Sequence, residues 1–193
     1  VVVLSAETGK LEGSVEVSGL ILGRVLTNDS LAIQTAQNYY PGAEGQGVIS
    51  VYPLSNLGGK PSTISSDHWL IGASRDSLLL SPHSPTTGND WSTRFRPFTV
   101  TQMGMDGTVR RTITGVNRLY PGGWLQRFSD PAAAATLAAS TAGKDDDQTR
   151  AAWNALPTQI VDLNSGSTHD LTGGRAESVG VPTGPGLLIS HEA

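Results

Sequence analysis

The chain has 193 residues, enough for one domain with a sizeable core or for a segment of a larger one. Charged residues make up 16% of it, with 13 basic against 17 acidic and a net charge of -4, which excludes the basic stripe that a nucleic-acid groove requires. It contains no cysteine, so disulfides, thiolate metal sites and cysteine nucleophiles are excluded, and no run approaches the roughly 18 consecutive apolar residues of a membrane span.

Apolar and polar residues alternate with the period of strands almost throughout, and 23 glycines and 11 prolines supply the turns between them. Val1 to Ser5, the turn Glu7-Thr8-Gly9 and the return Leu11 to Val17 make a first hairpin. Leu20 to Leu26 with Leu31 to Thr35 make a second around Thr27-Asn28-Asp29-Ser30. Val48 to Leu54 returns through Asn56-Leu57-Gly58-Gly59 as Pro61 to Ile64, and Trp69 to Ala73 returns through Ser74-Arg75-Asp76-Ser77 as Leu78 to Leu80. Phe98 to Met103 then pairs with Val109 to Ile113 across Met105-Asp106-Gly107-Thr108, and Val116 to Tyr120 pairs with Trp124 to Phe128 across Pro121-Gly122-Gly123. Thr158 to Leu163 with Thr168 to Leu171, and Glu177 to Val181 with Leu187 to Ser190, complete the series. Gly and Asn at the tips provide the positive φ that tight hairpins need.

Two classes of hairpin alternate. Those opening at Val1, Val48, Phe98 and Gln159 recur after roughly 47, 50 and 61 residues, near the ~40–50 of propeller repeats. In the other class Asp29-Ser30-Leu31 and Asp76-Ser77-Leu78 match residue for residue. One hairpin of each class makes a four-stranded blade, so the expected fold is an all-β propeller of antiparallel blades. About four blades' worth lies in this chain, as a small ring or part of a larger one, in a single domain or domain segment over 1–193. The series starts and ends in mid-blade, so the first hairpin is able to complete a blade with the last, as ring closure by strand exchange does; in a ring of seven or eight blades the rest lies outside this sequence or is supplied by a second copy. The chain also opens directly on a strand without Met, from which a processed boundary is expected, with any anchor or export signal upstream.

Two long loops interrupt the period, at 81–97 and 129–157. The first is Pro-rich. The second holds the alanine-rich stretch Ala132 to Ala139 behind Asp130-Pro131, expected as a short helix, then Asp145-Asp146-Asp147, then another helical turn or two over Gln148 to Leu156. Loops of such length are usually functional or disordered.

Val3-Leu4-Ser5-Ala6-Glu7-Thr8-Gly9-Lys10-Leu11 resembles the strand-turn-strand of quinoprotein-type (PQQ-like) propeller repeats. Ile160-Val161-Asp162-Leu163-Asn164-Ser165-Gly166 is similar to the same element, and Met105-Asp106-Gly107-Thr108 is a degenerate copy. The resemblance implies a propeller of a group that includes quinone dehydrogenases and non-catalytic extracytoplasmic scaffolds. The enzymes' repeats carry a docking Trp shortly after Gly-Lys, where this chain has Glu12, Gly13 and Ser14. Neither a quinone-stacking Trp nor a set of calcium carboxylates is assignable here. The resemblance therefore favours the scaffold branch.

No residue pattern identifies a reaction. His68, His83, His169 and His191 show no ligand spacing, and three adjacent aspartates point in different directions where a calcium loop needs alternating ligands. Gly72-Ala73-Ser74-Arg75-Asp76 lacks the Gly-x-Ser-x-Gly of a nucleophile elbow. Strands follow Gly104 to Gly107 and Gly122-Gly123, where a phosphate cradle needs a helix N-terminus. Of the four tryptophans, Trp69 and Trp124 are expected between blades, and Trp91 with Arg94, Phe95 and Arg96 forms an aromatic-cationic cluster of the kind enriched in binding hot spots. The expectation is a non-catalytic, extracytoplasmic scaffold without cofactor or metal, engaging a protein or cell-envelope partner through these four residues. The alternative is a quinone- and calcium-dependent oxidoreductase-like or carbohydrate-binding propeller with its site at the central channel. A rise in melting temperature with calcium and quinone separates the two.

Overall fold

The computed structural model describes residues 1–36, 47–83, 97–144, 146–171, 173–181 and 184–191. Among these the protein is mostly β, with antiparallel sheets and two short helices. All eight hairpins expected from the alternation form.

The strands group by fours. Strands β3 (Leu20–Leu26), β4 (Ser30–Ala36), β5 (Gly47–Pro53) and β6 (Ser62–Ser66) make one four-stranded meander. A seven-stranded sheet follows, in the order β13-β12-β11-β10-β9-β8-β7. Its members are β7 (Trp69–Ala73), β8 (Ser77–Ser81), β9 (Phe98–Gly104), β10 (Val109–Tyr120), β11 (Trp124–Phe128), β12 (Thr158–Asp162) and β13 (Thr168–Asp170). This sheet is two meanders sharing one strand. β10 pairs with β9 from Val109 to Ile113 and again at Val116, and with β11 from Val116 onward. Just before Val116, Gly115 takes φ 74°, a left-handed conformation that a side chain resists. Flanking the three four-stranded units are two lone hairpins, β1 (Val2–Leu4) with β2 (Leu11–Ser14), and β14 (Gly174–Val181) with β15 (Gly184–His191).

Successive side chains of a strand point to opposite faces, and here both faces are used. Leu31, Ile33 and Tyr52 of the first unit pack against Val15 and Val3 of the N-terminal hairpin region. Their neighbours Ala32, Ile49 and Val51 turn the other way and meet Leu70, Leu78 and Leu80 of the second unit. Leu79, between those two leucines, joins Val100 and Ile113 against Val116, Leu125 and Val161 of the third unit. Tyr120 and Ile160, on the far side of that unit, meet Ala176, Leu187 and Ile189 of the C-terminal hairpin. This sandwiching explains why β8 reads Ser-Leu-Leu-Leu-Ser with every residue buried. Each fully buried Leu or Ile stabilises the stack by roughly 1.5–3 kcal/mol.

The described strands form no closed ring or barrel: β1 pairs only with β2 and β15 only with β14. The helices α1 (Pro131–Ser140) and α2 (Asp147–Asn154) lie between β11 and β12, close to the stretches anticipated for them. No helix of the described residues is long and apolar enough to cross a membrane.

Candidate functional site

The meander connectivity gives the molecule two unlike rims. At one rim each unit's first strand turns into its second, and its third into its fourth, through three to eight residues. At the other, each second strand passes to the third through a long connection: 37–46, 82–97 and 129–157. Register shows the division directly, since β4 meets β5 at Ser30↔Pro53 beside the turns and at Thr35↔Val48 beside the long connection.

At the turn rim the units are stitched together. Asn164 Oδ1 accepts the Arg75 amide at 2.8 Å, and Asn164 Nδ2 donates to the Gly122 carbonyl at 2.8 Å. Leu163 N donates to Gly123 O at 2.9 Å. Beneath these turns lies a buried polar knot. Gln102 Nε2 donates to Ser77 Oγ at 2.6 Å and to Ser74 Oγ at 3.3 Å, while its Oε1 accepts from Arg111 Nε at 2.7 Å. The other end of the Arg111 guanidinium donates to Leu163 O at 3.1 Å. Ser74 and Ser77 also bond each other. Their hydroxyls are thus engaged in packing, and Ser74 sits between two strands, where a nucleophile elbow needs a strand and a helix.

Carboxylates at this rim serve their own turns. Asp106 accepts from the Thr108 amide and hydroxyl, and those bonds hold its carboxyl below the ordinary range. Burial pushes the Asp162 carboxyl upward, but bonds from Ser165 and Asn164 outweigh it and leave the group lowered. Asp29 accepts from Thr27 and Ser30 in the same manner. Such Asx-type turns are why Asp recurs here, and they do not gather into a ligand set. No group of three or more His, Asp or Glu able to hold a metal ion occurs among the described residues.

The opposite rim is built differently. Gln34, fully buried on β4, donates to His68 O at 2.7 Å and accepts from Leu70 N at 2.8 Å, fastening the first unit to the incoming strand of the second. The helical connection has its own small core of Phe128, Ala134 and Trp153, the two aromatic rings 5.4 Å apart. Asp130 caps α1 by accepting from Ala132 N and Ala133 N, and Asp146 caps α2 through Thr149 N, which lowers its carboxyl. The middle aspartate of the acidic run is therefore a helix cap; Asp145 lies outside the described residues. Pro131 packs against the bend at Gly115, so the helix pair is seated on the rim.

Trp91, Arg94, Phe95 and Arg96 lie outside the described residues, in the segment whose flanking residues His83 and Pro97 stand at this rim. Trp69 is buried where it joins the second unit, and Trp124 is half-buried between the third unit and the C-terminal hairpin. Sequence reasoning passed over Asn38-Tyr39-Tyr40-Pro41, whose segment occupies in the first unit the place that 82–97 occupies in the second. Topological equivalence is the signal that finds it. Comparison with protein-family models, curated proteins and solved structures gives no match.

Proposed function

We propose that the protein is a non-catalytic propeller-type scaffold, built on repeats of the PQQ-like kind, that binds a protein or cell-envelope partner through the rim of long connections. Its place is extracytoplasmic. Trp91, Arg94, Phe95 and Arg96 make the principal contacts, with Tyr39 and Tyr40 in the equivalent segment of the neighbouring unit. The single observation behind this reading is the division of the rims. All three long connections leave from one end of the stacked units, and two of them carry clustered aromatics. Aromatic and arginine side chains supply much of the energy of protein interfaces.

Further support for the repeat comes from the two turns that resemble the family element. Gly9 N bonds Ser5 O and Ser5 N bonds Lys10 O; Gly166 N bonds Asp162 O and Asp162 N bonds Ser167 O, the same closure in the same place of two units.

The test is capture from a detergent-solubilised cell-envelope extract, with bound proteins identified by mass spectrometry. Replacing Trp91 and Arg94 together by Ala should reduce recovery of the specific partner at least tenfold. A Gly58→Ser variant at the turn rim should leave it intact. Full capture by the double variant would remove the assigned loop.

A further inference from the structure

We propose that the turn rim holds an oxyanion-binding site where the second and third units meet, with Arg111 as its anchor and Arg75 as its second cation. The ligand is a tetrahedral oxyanion of the phosphate or sulfate class. The site lies at the rim opposite the long connections and stands independently of the partner-binding reading above.

Backbone register delivers Arg111 to this place. Val109 stands opposite Met103 and Arg111 opposite Gln102, so Arg110 is an inserted bulge residue, a device that re-aims the side chains beside it. Arg111 thereby shares a face with Gln102, and two residues on, Ile113 of the same face lies in the core between the two units. From the end of that face Arg111 reaches across the boundary to Leu163 of the third unit.

The guanidinium is fixed before any ligand arrives. Nε donates to Gln102 Oε1 at 2.7 Å and Nη2 donates to Leu163 O at 3.1 Å. Gln102 is itself held by Ser77 and Ser74, and Leu163 by the bond from its amide to Gly123 O. These bonds use the side edge of the fork. The end edge, Nη1 with the second proton of Nη2, has no partner among the described residues. It presents two parallel donors, the geometry that takes two oxygens of one anion.

Charge completes the argument. Arg111 is half-buried, yet both of its partners are neutral carbonyl oxygens, and a cation drawn out of water without a counter-charge is unfavourable. Carboxylates of the neighbouring turns are committed elsewhere. Asp76 takes Arg110 at 2.8 Å, Asp106 serves Thr108, and Asp162 is turned into its own loop by Ser165 and Asn164. Arg75 adds a second charge. Its amide donates to Asn164 Oδ1 at 2.8 Å, one residue from the carbonyl that Arg111 holds, and the exposed Arg75 forms no ion pair among the described residues. Two cations flanking Leu163-Asn164 call for an anion with two charges and oxygens on more than one side. A planar, singly charged carboxylate has neither.

The test replaces chloride by phosphate at constant ionic strength and follows the melting temperature of the full chain. A ligand of the folded state raises it saturably, whereas general salting-out rises without saturation. The expected result is a saturable rise. Its midpoint should move at least threefold to higher phosphate in Arg75→Gln, and at least tenfold in Arg111→Lys, which keeps the charge and loses the fork. Arg75→Gln changes an exposed side chain and keeps the amide that Asn164 holds, so it decides the matter should Arg111→Lys fail to fold. No saturable rise, or an unchanged midpoint in Arg75→Gln, overturns the proposal. Flotation with phosphatidylcholine vesicles containing phosphatidic acid separates the sources of the anion. Retention that free phosphate competes away assigns it to a lipid headgroup, and a saturable rise without retention assigns it to solution.

Discussion

The two rims obey opposite rules. Turns at one are short, bonded across unit boundaries and tied to a buried knot of Gln102, Ser74, Ser77 and Arg111. Connections from second to third strands at the other are long, and the one described at all but Asp145 organises itself around Phe128 and Trp153, touching the sheet at the bend beside Pro131. The contrast assigns stability to the first rim and leaves the second free to vary, as binding loops on rigid scaffolds do.

The strongest challenge to this division is a substitution beneath it. Leu125→Ala, at a fully buried site between the second and third units, should cost about 3 kcal/mol and lower the urea midpoint with a single transition. Two separated transitions would mean that the units do not depend on one another. Gln102→Ala should cost about 2 kcal/mol, because it strands Ser77 and Arg111 partners in a buried place. Equal loss from an exposed control such as Lys60→Ala would deny the knot its role.

Trp153→Ala sharpens the other side of the comparison. Hydrogen exchange should show lost protection in α1 and α2, while the global unfolding free energy falls by less than about 1 kcal/mol because local opening does not involve the stack. Equal loss across β11 and β12 would tie the helices to the sheet after all. The smallest effect concerns pH. The lowered Asp162 carboxyl stabilises the fold fully above its unfolded value near 3.9, and the contribution disappears as pH falls through the folded value. Asp162→Asn should therefore flatten the decline in melting temperature below about pH 4 and change little at neutrality.

Much of this architecture is legible in the sequence because apolar alternation and turn residues are local signals. The Asp-Pro start of α1 announces its own cap, and Leu78-Leu79-Leu80 announces burial on both faces. The join at Gly115 is less legible. Ile113 and Val116 read as ends of separate strands, and only the pairing of Val116 with both Phe98 and Arg127 makes them one. Buried polar residues are less legible still. Gln34 and Gln102 have no local feature separating them from outward-facing glutamines, since the groups to which their amide nitrogens donate lie 25 to 34 residues away. Trp91, Arg94, Phe95 and Arg96 stand out as an aromatic-cationic cluster in a long polar segment, and closeness along the chain does not fix where a side chain points.

Strand β10 belongs to two meanders at once, and that has a mechanical consequence. A chain stretched from its ends should shed the terminal hairpins at low force, because each is held by one ladder and one packed face. The stretch from β7 to β13 should resist until it ruptures in a single step, since pulling out the common strand dismantles both meanders of the sheet.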